Sequence, residues 1–198
     1  MKNIYKMFAV ACLVATAIPA HAQVVDFESD APGNKANGFV SNSSPLVSFS
    51  AAPGGQLIVS NFYESNSTNG LGVFNDDRNY LRMDFASAMS ALSIDFGNDD
   101  PCCGPPGMNV FLRLFSGATQ VGSVTMTANM NDIMDQTIAY TGAAFDGAEF
   151  EYDANLIEVV DNVRFEGAVV ATPEPASLAL MATGLVGIGG LVRRRRKA

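Results

Sequence analysis

The sequence predicts an all-β fold for the body of the chain, an antiparallel β-sandwich of the jelly-roll type. Short apolar segments recur along the body with Gly, Pro and Asn between them, which is the spacing of strands and turns. Some segments, such as 109–115 and 121–124, partly alternate apolar and polar residues, as strands do when one face packs and the other meets water. About ten short strands of this kind are typical of a two-sheet sandwich.

The expected elements follow one another in chain order. Asp26–Glu28 opens the body, and turns are expected at 32–34 and 37–38. Only the segments 86–92 and 128–135 are compatible with a short helix or a turn. Strands are predicted over the remaining apolar segments, which are Leu46–Phe49, Gln56–Val59, Leu71–Phe74, Tyr80–Phe85, Ala91–Phe96, Met108–Phe115, Gln120–Met126, Gln136–Tyr140, Ala148–Tyr152 and Ile157–Phe165.

The N-terminus has the three parts of a secretory signal peptide. Two lysines precede an apolar stretch at 7–18, and Ala20-His21-Ala22 is a small-x-small cleavage site. We therefore predict a signal helix within residues 1–22, cleavage between Ala22 and Gln23, and export through the inner membrane. A lipidated Cys12 is the alternative, although the residues before it lack the leucine usual in a lipoprotein signal.

The C-terminus carries a second membrane signal. Pro173-Glu174-Pro175 is followed by an uncharged apolar run at 176–192 and by the basic residues 193–197. A run of this length is at the short end of what spans the hydrocarbon core, so we predict one transmembrane helix. Basic residues beside a span stay on the cytoplasmic side, which places residues 23–171 outside the cytoplasm.

These three parts, in this order, resemble the PEP-CTERM sorting signal over residues 172–198. The resemblance implies recognition by an exosortase, a membrane-embedded transpeptidase-like enzyme of exopolysaccharide-producing Gram-negative bacteria. It also implies removal of the helix and delivery to the cell surface, the outer membrane or the extracellular matrix. Residues Pro173, Glu174 and Pro175 match the recognition motif, and Arg193, Arg194, Arg195 and Arg196 match the cytoplasmic cluster. A weak stop-transfer anchor is the plain alternative.

The body, residues 23–171, is strongly acidic and lacks histidine. It holds nineteen acidic and five basic residues, a formal net charge of −14. Such a charge repels nucleic acid and anionic membranes and suits a divalent cation, a neutral polymer or plain solubility. His21 is the only histidine and is lost with the signal peptide, which excludes histidine-based triads and histidine metal ligands in the body. The chain also has no Gly-x-Ser-x-Gly motif and no phosphate-binding Gly-Lys-Ser/Thr motif, and its acidic residues single out no catalytic pair, so we expect no enzymatic activity.

The first and last strands carry a weaker resemblance, to the jelly rolls of carbohydrate-binding modules. The segments 24–28 and 158–165 look like the paired terminal strands of those domains. The resemblance implies a structural calcium ion held by Glu28 and Asp161. A calcium ion takes six to eight oxygens, so carbonyls and water, such as those of the turn at 30–34, would complete the shell. In the alternative reading, Asp161 caps a turn and Glu28 is solvated.

An unusual loop is expected at Asp95–Gly107, where Cys102 and Cys103 are adjacent among prolines and glycines. The two thiols can form a vicinal disulfide, pair between molecules, or stay free, and we favour the vicinal disulfide. Asp95 together with 98–100 is a second candidate for calcium.

The sequence as a whole predicts a secreted surface or matrix protein that binds or organises extracellular polysaccharide, as in a biofilm, without enzymatic activity. Tyr63, Tyr80 and Tyr140 are candidates for stacking on sugars, since the chain has no Trp. The expected partners are exosortase, polysaccharide and, before processing, the inner membrane. Two alternatives remain open: an adhesion protein linked through Cys102 or Cys103, and a glycan hydrolase.

Overall fold

The computed structural model describes residues 22–61, 68–74, 79–97, 104–153, 156 and 158–168. None of these residues belongs to a helix that is long and apolar enough to cross a membrane. The predicted signal helix and the predicted transmembrane helix at 176–192 fall outside them. The described strands are β1 (Gln23–Val25), β2 (Gly33–Lys35), β3 (Val47–Ala52), β4 (Gln56–Ser60), β5 (Gly70–Phe74), β6 (Tyr80–Gly97), β7 (Asn109–Ser116), β8 (Thr119–Thr127), β9 (Gln136–Tyr152) and β10 (Glu158–Gly167).

All strand pairs are antiparallel, in the order β2-β4-β5-β10-β6-β9-β7-β8, with β1 on β10 and β3 on β6. The long strands β6 and β9 run side by side and belong to both layers of a sandwich. The first part of β6 lies between β3 and β9, and its second part lies between β10 and β9. We call β3, 80–85 of β6, 147–152 of β9, β7 and β8 the front sheet. The back sheet is made of β1, β2, β4, β5, β10, 89–97 of β6 and 136–145 of β9.

The core lies between the two sheets. Strand β3 buries every second residue, as a strand does when one face packs and the other is outside. Aromatic rings join the layers: Phe85 meets Phe165 at 5.2 Å between ring centroids, and Phe96 meets Phe150 at 5.5 Å. Each of these four side chains is buried. Burial of apolar area on this scale is the main stabilising contribution to the sandwich.

The predicted all-β antiparallel sandwich is confirmed, but the number of separate strands is not. The segments 80–85 and 91–96 are parts of one strand, β6, and 136–140 and 148–152 are parts of β9. The expected helix or turn at 86–92 is wrong, because β6 continues through it. The pairing of β6 with β9 is interrupted by a register shift between Asp84 and Met89, where the strand can bend, and it resumes at Met89 opposite Phe145.

Two smaller expectations have different outcomes. Within 128–135 the chain forms bends and no helix, which agrees with the turn alternative, and Met130 and Asp132 have positive φ angles of 59° and 57°. The turn expected at 32–34 is wrong for its last two residues, since β2 begins at Gly33 and pairs with β4.

Candidate functional site

The outward face of the front sheet carries a row of opposite charges in register. Arg82 of β6 lies opposite Glu149 of β9, and Glu149 lies opposite Arg113 of β7. Because alternate residues of a strand point to opposite faces, the residues between them, such as Leu112 and Phe150, are buried in the core. The alternation of these strands therefore builds a charged outer face on an apolar inner one.

Arg82 is held in place from several sides. Its Nε donates to Asp84 Oδ1 at 2.9 Å, and its Nη1 donates to Glu149 Oε1 at 3.2 Å. Its guanidinium also lies over the ring of Phe115, with Cζ 5.3 Å from the ring centroid. Burial lowers the pKa of Arg82, but hydrogen bonds and charge from Asp84 and Glu149 outweigh burial and raise the pKa above its ordinary value. The side chain therefore stays cationic.

Gly147 provides the space for this guanidinium. A Cβ built on Gly147 would lie 2.8 Å from Arg82 Cζ and closer still to Nη2. Real Cβ atoms do not approach heavy atoms so closely, so any other residue would displace the arginine. The glycine thus lets Arg82 lie flat across β9.

Arg113 repeats the arrangement on β7. Its Nη1 forms an ion pair with Glu151, and its guanidinium lies over the ring of Phe111 at 5.3 Å. Phe111, Phe115 and Tyr80 are all half-buried, so each keeps part of its ring in contact with solvent. The face therefore combines partly exposed aromatic rings with both signs of charge.

Of the two predicted stacking tyrosines that the structure describes, one lies on this face. Tyr80 is on β6, in phase with Arg82. Tyr140 instead packs over Gly122 of β8, where a Cβ would collide with its ring, and against Phe145 at 5.8 Å. Tyr63 lies outside the described residues.

The sequence interpretation missed Phe111 and Phe115, because it considered only tyrosines as candidates for stacking on sugars. A signal for them was present in β7. Arg113 stands two residues from each phenylalanine, so all three share one face of the strand. An arginine in phase with two aromatic residues indicates that the shared face meets water.

The two predicted calcium ligands lie in different hydrogen-bonded groups. Glu28 Oε1 accepts from the backbone N–H of Asn69 at 2.9 Å, and the carbonyl oxygens of Phe27 and Asp30 accept from Asn69 Nδ2 at 3.4 Å. Asp161 is 6% exposed and accepts from the backbone N–H of its neighbour Asn162 at 2.6 Å.

The oxygens gathered at Asn69 are fewer than a calcium shell requires. Within the part of the chain that the structure describes, no group of three or more His, Cys, Asp or Glu side chains is arranged to hold a metal ion. Calcium binding by Glu28 and Asp161 stays a prediction.

Some of the other predicted site residues lie within the described part of the chain and the rest lie outside it. Asp95 accepts from Thr137 Oγ1 at 2.7 Å and pairs with Arg164 at 3.0 Å. Ala22 is exposed and Gln23 is the first residue of β1, so cleavage between them leaves β1 whole. The residues that lie outside the description are Asn98, Asp99, Asp100, Cys102, Cys103, Pro173, Glu174, Pro175, Arg193, Arg194, Arg195 and Arg196.

Comparison with known families finds one match, at the C-terminal end of the chain. Residues 171–197 match the family described as the PEP-CTERM protein-sorting motif. The chain therefore carries a PEP-CTERM sorting motif, which implies secretion and sorting by an exosortase to the cell surface. No curated protein matches the chain.

The body is structurally similar to carbohydrate-binding modules. One is in the CBM22-1 and GH10 modules of Clostridium thermocellum xylanase 10B, complexed with xylohexaose, with 12% identity and a TM-score of 0.44 over 76% of this chain and 29% of that one. The CBM22-1 xylan-binding domain of Paenibacillus barcinonensis Xyn10C has 11% identity and a TM-score of 0.42, and the match covers 78% of this chain and 99% of that one. The CBM32 of AlyQ, complexed with 4,5-unsaturated mannuronic acid, has 15% identity and a TM-score of 0.37, and the match covers 62% of this chain and 96% of that one.

Proposed function

We propose that the body binds a neutral extracellular polysaccharide on the outward face of the front sheet. The observation that carries this proposal is the row formed by Arg82, Glu149 and Arg113, flanked by the half-buried rings of Phe111 and Phe115. Sugar rings have apolar C–H faces that pack on aromatic rings, and hydroxyl groups that pair with carboxylate and guanidinium groups. Both kinds of contact are available side by side on this face.

The charge of the face favours a neutral polymer over an acidic one. Its two arginines are paired with Asp84, Glu149 and Glu151, so neither presents an uncompensated positive charge. The body as a whole carries a formal net charge of −14, which repels polyanions. A neutral polysaccharide meets no such repulsion.

The sorting motif supports the same proposal from a separate direction. A PEP-CTERM motif directs the protein to the surface, where extracellular polysaccharide is found. Binding there would let the protein organise exopolysaccharide in the matrix. We propose binding without hydrolysis, because Glu149 and Glu151 are both engaged by arginines of neighbouring strands instead of facing each other as a free pair.

Single alanine variants of the two front-face phenylalanines test the proposal. The full chain, in detergent micelles, is sedimented with neutral polysaccharide from its host, and the bound fraction gives the affinity. We expect Phe111→Ala and Phe115→Ala each to lose about 1–2 kcal/mol, or roughly 5- to 30-fold in Kd. Phe74→Ala is the matched control, because Phe74 is 41% exposed on β5 of the back sheet.

The control variant should bind as the unmodified chain does. Equal affinity in all three variants would contradict the assignment of the face. A loss that is as large in Phe74→Ala as in the others would contradict it as well.

A further inference from the structure

An open groove continues the front sheet beyond Arg82. It holds about 250 Å³, and its lining includes Val40, Pro45, Leu46, Ser48, Asp84 and Ala86. Asp84 and Ala86 are in phase with Arg82 on β6, so all three share the outward side of the sheet. The backbone N–H of Ala86 donates to Leu46 O at 2.9 Å, which holds Leu46 beside them. The groove therefore adjoins the face that we assign to polysaccharide.

The groove presents apolar side chains to solvent on a fixed support. Val40 is 46% exposed and Leu46 is 37% exposed. Phe85, which also lines the groove, is buried and packs against Phe145 and Phe165, with ring centroids 5.6 and 5.2 Å away. Exposed apolar surface in a concave site beside a few polar groups is typical of a ligand-binding site.

The polar side chains of the groove are mainly acceptors of hydrogen bonds. Asp84 Oδ1 pairs with Arg82, and no described residue donates to Asp84 Oδ2. Among the described residues that line the groove, Ser48 is the only one whose side chain has a hydrogen to donate, and none is cationic. The Ser48 hydroxyl is itself directed at the carbonyl oxygen of Asp84, 3.5 Å away. A ligand that suits this groove donates hydroxyl groups, buries an apolar group and carries no negative charge.

We propose that this groove binds a 6-deoxyhexose unit of the polysaccharide. Such a sugar is uncharged, has hydroxyl groups that can donate to Asp84 Oδ2, and bears a methyl group that can pack on Val40 and Leu46. An acidic sugar would meet the carboxylate of Asp84, and an acetamido sugar would bring a carbonyl for which the lining side chains hold no free donor. The groove is smaller than pockets for drug-sized ligands, about 300–1,000 Å³, as expected for a single sugar unit.

The strand register places the groove close to the aromatic part of the front face. Ser48 of β3 lies opposite Asp84, and Gly147 of β9 lies between Asp84 and Phe115 of β7. Asp84 and Phe115 are therefore two strand spacings apart, about 10 Å. One polymer that crosses the strands can contact both. The inference rests on the proposed function, because the deoxy sugar is a unit of that same polymer.

The test is an NMR titration of the full chain in detergent micelles that follows the methyl groups of Val40 and Leu46. The probes are the methyl glycosides of L-rhamnose and L-fucose, each compared with the glycoside of its parent hexose, L-mannose or L-galactose. Parent and deoxy sugar differ only by the hydroxyl at C6. At least one deoxy glycoside should bind saturably, about tenfold or more tighter than its parent, because the extra hydroxyl would be buried without a partner. Methyl N-acetylglucosaminide should bind more weakly than that deoxy glycoside.

A matched pair of variants assigns the binding to the groove. Leu46→Ser removes apolar contact and should raise the Kd of the deoxy glycoside roughly fivefold or more. Val24→Ser is the control and should leave the Kd unchanged, because Val24 is 43% exposed on β1 of the back sheet.

Three results would each overturn the sugar assignment. They are the absence of saturable shifts with both deoxy glycosides, a parent or acetamido probe that binds as tightly as the deoxy sugar, and unchanged affinity in Leu46→Ser. Polysaccharide binding that still requires Phe111 and Phe115 would in those cases leave the proposed function intact. Deoxy glycoside binding in the groove, with no effect of Phe111→Ala or Phe115→Ala on polysaccharide affinity, would instead refute the proposed face and leave the groove assignment standing.

Discussion

Gly147 leaves the space in which the Arg82 guanidinium lies, so Gly147→Ala removes the arginine from the front face without deleting it. The added Cβ would lie 2.8 Å from Arg82 Cζ, and the flexible end of the arginine must move away. Arg82 then loses its bonds to Asp84 and Glu149 and its contact with Phe115.

The expected cost to stability is small. Arg82 is 23% exposed, and ion pairs near the surface contribute about 0.2–1 kcal/mol each. The cation–π contact adds about 0.5–1 kcal/mol. Alanine in a strand regains about 0.5–1 kcal/mol over glycine, because glycine loses more backbone entropy on folding. We therefore expect Gly147→Ala to unfold with a free energy about 1 kcal/mol lower than the unmodified chain.

The expected cost to polysaccharide binding is larger. Hydrogen bonds to charged groups are worth about 1.5–3 kcal/mol, so loss of the guanidinium should weaken binding roughly tenfold or more. Denaturant unfolding and calorimetric titration with neutral polysaccharide measure the two effects on the same sample. Gly167→Ala is the control, because a Cβ there meets nothing within 4 Å. Unchanged affinity in Gly147→Ala would refute a role for Arg82 in binding.

Three further outcomes follow from other parts of the structure. Tyr152→Phe removes the hydroxyl that donates to the buried carbonyl of Gly97, and denaturant unfolding should show a loss of about 1–3 kcal/mol, whereas no loss would contradict the bond. Hydrogen bonds from the side chains of two nearby asparagines hold the pKa of Asp135 below its ordinary value of 3.8. The ionised carboxylate of Asp135 therefore stabilises the fold above pH 3.8, and this stabilisation is lost as the pH falls through the lowered pKa. An NMR titration midpoint at or above 3.8 would contradict this. If calcium binds Glu28 and Asp161, chelation should lower the melting temperature of the calcium-loaded chain. The lost stability would be about 2.7 kcal/mol when the calcium concentration is one hundred times its Kd, and an unchanged melting temperature would rule out that site.

The sequence was sufficient to predict the class of fold and which strand residues face the core. In β7, the alternation of Val110, Leu112 and Leu114 with polar or aromatic residues predicted a half-buried strand, and these three are buried. The continuous strands β6 and β9 could not be predicted. The exposed Ala86 and Ala88 at the bend of β6 resemble a helix or a turn locally, and their backbone bonds are to distant residues: Ala86 N–H donates to Leu46 O and Ala168 N–H donates to Ala88 O, both at 2.9 Å.

The candidate face was beyond prediction for a related reason. Arg82 and Glu149 are 67 residues apart in the chain, and their contact depends on the register of β6 against β9. The role of Gly147 depends on the same register. It could not be predicted from the sequence, because a glycine can occur in a strand for several structural reasons. Spacing along the chain therefore indicated which residues share a face, while topology decided which charges meet.

The most direct test of the central claim is a calorimetric titration of the full chain, in detergent micelles, with a neutral polysaccharide and with an acidic one of similar length. The account predicts saturable binding of the neutral polymer, weak binding of the acidic one, and loss of the neutral-polymer signal when Phe111 and Phe115 are both replaced by alanine. Preference for the acidic polymer, or neutral-polymer binding that survives the double substitution, would contradict it.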